Sequence, residues 1–107
     1  MTYSSQQPSR DDVDALPGAT VLEFGANWCG ICAAAQPAIS AALQSQPGLR
    51  HLKIEDGPGR PLGRSFKVKL WPTLVFLRDG RELERLVRPS DRAEITQALQ
   101  RQAEQTA

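Results

Sequence analysis

The chain has 107 residues, of which 40% are hydrophobic and 23% charged, and its 13 basic and 12 acidic side chains leave a net charge of +1. That balance gives no electrostatic handle for nucleic acid or a membrane surface. No apolar span reaches the ~20 residues of a membrane helix, and the length fits one domain.

Residues 1–8 are polar and are expected to fray, leaving 9–107 as a single folded unit. They lack the basic start and apolar core of a secretory signal, which implies a cytosolic location. Ser9 followed by Asp12 reads as a capping box opening a short helix to about Leu16, stopped by Pro17-Gly18. Thr20 to Ala26 is an apolar, β-branched strand with one exception, Glu23. A helix follows from Cys29 to about Gln46, with Pro37 inside it and Pro47-Gly48 after it. Leu49 to Glu55 alternates Leu52 and Ile54 with His51 and Lys53, and the intervening helix makes the two strands parallel.

Asp56 to Gly63 reads as a loop, and Arg64 to Lys69 as a short helix. Trp71-Pro72-Thr73 leads into the strand Leu74 to Leu77. Asp79-Gly80 signals a hairpin to an antiparallel edge strand, Leu83 to Val87. Ser90 is the expected cap of a last helix, Asp91 to Gln102, with Ile95, Ala98, Leu99 and Gln102 on one face. A βαβ half followed by a ββα half predicts an α/β fold with a central mixed four-stranded sheet and helices on both faces.

The two cysteines, Cys29 and Cys32, lie in Ala26-Asn27-Trp28-Cys29-Gly30-Ile31-Cys32. They are too few for a disulfide scaffold and, with His51 the lone histidine, cannot fill a four-ligand zinc site. The strand–turn–helix pattern puts Cys29 at a helix N-terminus, where unpaired N–H groups and the positive dipole end stabilise an anion. A thiolate is the nucleophile of disulfide exchange, and Cys32 follows one turn later, within reach of a mixed disulfide on Cys29. The pair reads as a dithiol/disulfide redox site. A plain core cysteine and a bracing disulfide are the competing readings. The bracing bond would close so short a loop that it removes little unfolded-state entropy.

These residues resemble the thioredoxin family. Trp28-Cys29-Gly30-Ile31-Cys32 is similar to that family's Trp-Cys-Gly-Pro-Cys site. Pro37 is similar to its helix proline, Trp71-Pro72-Thr73 to its cis-proline turn, and Asp79-Gly80 to its hairpin. The resemblance implies a thioredoxin fold and a disulfide oxidoreductase that needs no metal or organic cofactor. It implies disulfide-containing protein substrates, a reductant such as a thioredoxin reductase, and a monomer. It makes Cys29 the attacking thiol, Cys32 the resolving thiol and Glu23 the proton acceptor beneath Cys32. Burial in an apolar strand is expected to push the Glu23 carboxyl up. The competing reading has Glu23 snorkelling to Lys53 or Arg60. His51 falls where the family tends to carry a lysine facing the acid, so an ion pair or a proton relay with Glu23 is open.

Substrate contacts are expected from Trp28, Gly30, Ile31, Trp71, Pro72 and Arg88. Pro72 would leave the Trp71 backbone open to an extended peptide added as a strand. Three departures mark this chain. Ile31 replaces the proline between the cysteines and restores a backbone N–H, which favours the thiolate and predicts a potential less negative than the ~−270 mV of thioredoxin. Trp71 stands where an aliphatic residue is usual. Arg88-Pro89 stand for a small Gly-Ala pair, charging a surface that is flat and apolar in the family. The alternatives are a thioredoxin-fold binding or chaperone-like module with a vestigial or regulatory disulfide, and a two-cysteine metal or iron–sulfur site shared by two chains.

Overall fold

A computed structural model describes residues 2–105. The elements run α1 (Arg10–Asp14), β1 (Ala19–Gly25), α2 (Gly30–Gln44), β2 (Arg50–Glu55), α3 (Pro61–Ser65), β3 (Thr73–Arg78), β4 (Arg81–Val87) and α4 (Arg92–Glu104). The strands form one sheet in the order β2-β1-β3-β4, with β1 and β2 parallel and the other two pairings antiparallel. This is the mixed sheet the sequence predicts.

β1 is central and covered on both faces, which is why it reads as an unbroken apolar run. Val21, Phe76 and Leu74 pack with Ile39 of α2 and Ile95 and Leu99 of α4 on one face. Leu22, Phe24, Val75 and Leu77 pack with Val13 of α1 and Leu62 of α3 on the other. Each such side chain, fully withdrawn from water, contributes roughly 1.5–3 kcal/mol. Among the described residues no helix is long and apolar enough to cross a membrane.

The local signals act as expected at most turns. Ser9 and Asp12 form the capping box, with Ser9 Oγ accepting the Asp12 N–H at 3.0 Å. Asp79 and Gly80 both take positive φ, 52° and 79°, which matches the twist a two-residue hairpin needs. A side chain at residue 80 would also collide with α1, since its Cβ would lie 1.9 Å from the Asp14 carbonyl oxygen.

Three expectations are corrected. α3 begins at Pro61 rather than Arg64, because proline's fixed φ suits the first helical position and its missing N–H is not needed there. The cap of α4 is Asp91, whose Oδ1 accepts the Glu94 N–H at 2.9 Å, and Ser90 stands outside the helix. The N-terminal stretch is not a loose end. Ser4 bridges Ile54 in parallel, donating its N–H to the Lys53 carbonyl at 3.0 Å and accepting the Glu55 N–H at 2.9 Å. β2 is an edge strand of the sheet, and this segment pairs with its outer backbone groups at Lys53 and Glu55. Tyr3 is carried with it into the interior.

Candidate active site

β1 ends at Gly25, and the chain turns with the Ala26 carbonyl accepting the Cys29 N–H at 3.1 Å. Cys29 is the N-cap of α2, extended at φ −85° and ψ 113°, and its Sγ accepts the Cys32 N–H at 3.2 Å. The sulfur thus takes the place of the side-chain oxygen that normally caps a helix, at the point where the orphan N–H groups gather. Cys29 is half-buried, Cys32 is buried, and both are free thiols. Burial is the main reason the Cys32 thiol is pushed up to about 11, and its hydrogen bond to Cys29 adds to the rise.

Glu23 is fully buried in the middle of β1, beside Lys53 in register on β2. Its surroundings overturn the expected upward shift. Burial does push the carboxyl up, but hydrogen bonds from His51, Tyr3 and Gln36 and the charge of Lys53 outweigh it, holding Glu23 below the ordinary carboxylate range. His51 Nε2 lies 2.8 Å from Oε1. The Tyr3 hydroxyl donates to Oε2 at 2.5 Å and Gln36 Nε2 donates to the same oxygen at 2.8 Å. Lys53 Nζ is 3.8 Å away and donates to Gln36 Oε1 at 2.7 Å. Of the two cations weighed as snorkelling partners, Lys53 meets Glu23, whereas Arg60 pairs with Glu55. Among the described residues no buried side-chain polar atom lacks a partner.

Two members of this cluster were not picked out from sequence. Gln36 carries a detectable signal, lying four residues after Cys32 and so on the same face of α2. Tyr3 carries almost none, sitting in a polar stretch far from the cysteines in the chain.

At the surface, Trp28 is 78% exposed and meets Trp71 edge to face, ring centroids 5.4 Å apart. Trp71 Nε1 donates to Asp56 Oδ2 at 2.8 Å, which fixes the second indole. The Trp71–Pro72 bond is cis. Gly30 is exposed beside Cys29. The exposed large hydrophobics among the described residues are Trp28, Ile31, Leu70 and Val87, and each lies within two positions of Cys29, Trp71 or Arg88. An apolar patch concentrated in this way marks an interaction surface. Arg88 lies across it with φ 53°, its Nε donating to the Trp71 carbonyl at 2.8 Å and its N–H to the Pro72 carbonyl at 2.8 Å. The Trp71 carbonyl, expected to be open, is therefore already occupied.

A mixed sheet that sets a helix-capping thiol over a buried carboxylate cluster defines a thioredoxin-fold dithiol protein. The thioredoxin family profile matches residues 4–101, and the chain belongs to that family. It is 30% identical over 96 residues to thioredoxin of Chlamydia trachomatis, covering 89% of this chain and 91% of that one. Against a thioredoxin of the H type from Fagopyrum esculentum it is 31% identical over 67 residues, which span 58% of that relative's length. The structure of reduced thioredoxin 2 from Pseudomonas aeruginosa PAO1 superposes with a TM-score of 0.87 at 51% identity, covering 99% of this chain and 98% of that one.

Proposed function

We propose that this protein is a thiol–disulfide oxidoreductase acting on disulfides of other proteins. The observation that carries the reading is the asymmetry of the two thiols: Cys29 Sγ is accessible and held by the Cys32 N–H, while Cys32 is buried and difficult to ionise. Cys29 attacks a substrate disulfide as the thiolate and forms a mixed disulfide. Cys32, giving up its proton toward Glu23, attacks Cys29 Sγ, and the substrate leaves with the electron pair as a thiolate. The products are a reduced substrate and a Cys29–Cys32 disulfide, which an external reductant such as a thioredoxin reductase reopens. The protein works as a monomer in the cytosol, where such reductants keep dithiols open.

Trp28, Gly30, Ile31, Trp71 and Pro72 form the surface that receives the substrate, and Arg88 controls access to the Trp71 carbonyl. Catalysed precipitation of insulin in dithiothreitol tests the activity, and a protein that only binds would not accelerate it. Cys32→Ser should accumulate partners disulfide-linked to Cys29. If that variant traps nothing while the wild type still reduces insulin, the two roles are misassigned.

A further inference from the structure

We infer that the cleft beside Trp71 binds an acidic segment of the substrate protein, next to the disulfide that Cys29 attacks, so that disulfides flanked by carboxylates are preferred. This rests on the oxidoreductase reading above and names the class of substrate that site takes. The cleft holds about 500 Å³, and Arg60, Arg64, Lys67 and Lys69 line it together with Asp56 and Trp71. Four cations thus share the cleft with one carboxylate, in a chain whose net charge is only +1. A cleft lined mainly by one sign of charge focuses its field and gathers groups of the opposite sign.

Most of that charge is unspent. Asp56 Oδ2 accepts the Trp71 Nε1–H at 2.8 Å, and Oδ1 lies 2.0 Å from where a Cβ at Gly63 would stand, so the carboxylate is fitted between the indole and α3. Arg60 alone among the cations is partnered, bonding Glu55 and donating from Nη1 to the Ser5 carbonyl at 3.2 Å. Arg64, Lys67 and Lys69 are exposed and, among the described residues, make no ion pair or side-chain hydrogen bond. Lys67 takes φ 57°, the left-handed conformation that usually falls to glycine at a helix end. Its N–H donates to the Arg64 carbonyl at 3.0 Å and the Val68 N–H to the Gly63 carbonyl at 3.0 Å, which fixes the turn that carries the charge.

Trp71 joins this cleft to the thiol. It walls the cleft on one side and meets Trp28, the residue directly before Cys29, with ring centroids 5.4 Å apart. A chain attacked by Cys29 and laid over the two indoles therefore reaches the cations. A cleft of this volume with three unengaged cations suits several carboxylates on one segment better than a single compact anion.

Two synthetic disulfide peptides test this, identical except that a run of glutamates beside one cysteine is replaced by glutamines. Reduced protein is mixed with each and peptide reduction is read by mass. Each rate constant is divided by that of the same peptide with dithiothreitol, which removes intrinsic reactivity. An exposed ion pair is worth up to about fivefold, so with three free cations the glutamate peptide should react about tenfold faster at low salt. In about 0.5 M sodium chloride, where screening cuts in within a few ångströms, the preference should fall to about twofold or less. Arg64→Glu and Lys69→Glu should each lower the low-salt ratio at least about threefold. Arg81→Glu, the same change of charge in the hairpin at the far end of β3, should leave it unchanged. Each ratio comes from one preparation, so a partly misfolded variant does not distort it. A wild-type ratio below about twofold at low salt overturns the proposal. So does an Arg81→Glu effect equal to that of Arg64→Glu, the mark of net charge alone. Loss of the preference in inorganic phosphate, at an ionic strength where chloride preserves it, overturns it in favour of a compact-anion site. A wild type that reduces neither peptide nor insulin rejects the oxidoreductase reading instead.

Discussion

Replacing Arg88 with glycine separates the two things that side chain does. Arg88 holds φ 53°, a conformation that costs a residue with a Cβ roughly 1–2 kcal/mol. Glycine removes that strain but loses about 0.5–1 kcal/mol in unfolded-chain entropy. The Nε–H bond to the Trp71 carbonyl, at 2.8 Å on an exposed side chain, is worth about 1 kcal/mol to the fold. The contributions nearly cancel, so Arg88→Gly should stay within about 1 kcal/mol of wild-type stability. The functional effect should not cancel. A substrate amide can then donate to the Trp71 carbonyl without displacing a guanidinium, a gain of about 1 kcal/mol or roughly fivefold in kcat/KM. Thermal unfolding reads the first quantity, and steady-state reduction of a disulfide-containing peptide reads the second. A folded Arg88→Gly with kcat/KM at or below wild type would show that Trp71 does not receive the substrate backbone, or that the positive charge itself draws substrates in.

At pH 8 a thiol titrating near 11 is ionised in about one molecule in a thousand, against about a quarter for ordinary cysteine. Iodoacetamide should therefore label Cys32 about two orders of magnitude more slowly than free cysteine, and peptide mapping that finds it labelled as fast as free cysteine would contradict its burial. Ile31→Pro removes one N–H from the first turn of α2, so the potential should move on the order of 30 mV more negative, the equivalent of one charge-assisted hydrogen bond. A glutathione titration showing no shift, or the opposite one, would refute that. Glu23 is held below its ordinary value, so its contribution to stability is present above about pH 4.5 and is lost as the pH falls through its folded value. Denaturant midpoints measured from pH 6 to pH 2 should fall less steeply for Glu23→Gln than for wild type.

What could be read in advance followed from interactions that are local in the chain. The capping box at Ser9, the Asp79-Gly80 hairpin and the strand–turn–helix around Cys29 each depend on residues within a few positions of one another. The starts of α3 and α4 differ from expectation for separate reasons: Pro61 lies in a stretch rich in glycine and proline that reads as a loop, whereas Ser90 and Asp91 are adjacent residues that can each cap a helix. The Glu23 shift was misjudged for a different reason. Sequence reveals that an acid lies in an apolar strand, and hence the desolvation, but the compensating donors come from β2, α2 and the N-terminal segment at separations of 28, 13 and 20 residues.

The same argument explains why Tyr3 was invisible. Its partner in space is the absence of a side chain at Gly25, and a glycine near a strand end reads equally well as a bulge or a turn. Once the ring fills that space, the buried acid changes character. Without the tyrosine, Glu23 Oε2 would rely on Gln36 Nε2 at 2.8 Å and on Lys53 at 3.8 Å, and desolvation would weigh more heavily. With it, the carboxylate stays ionised and remains able to accept a proton. The N-terminal segment thus reaches the buried acid: the bridge of Ser4 to Ile54 carries Tyr3 into the interior, where its hydroxyl donates to Glu23 Oε2.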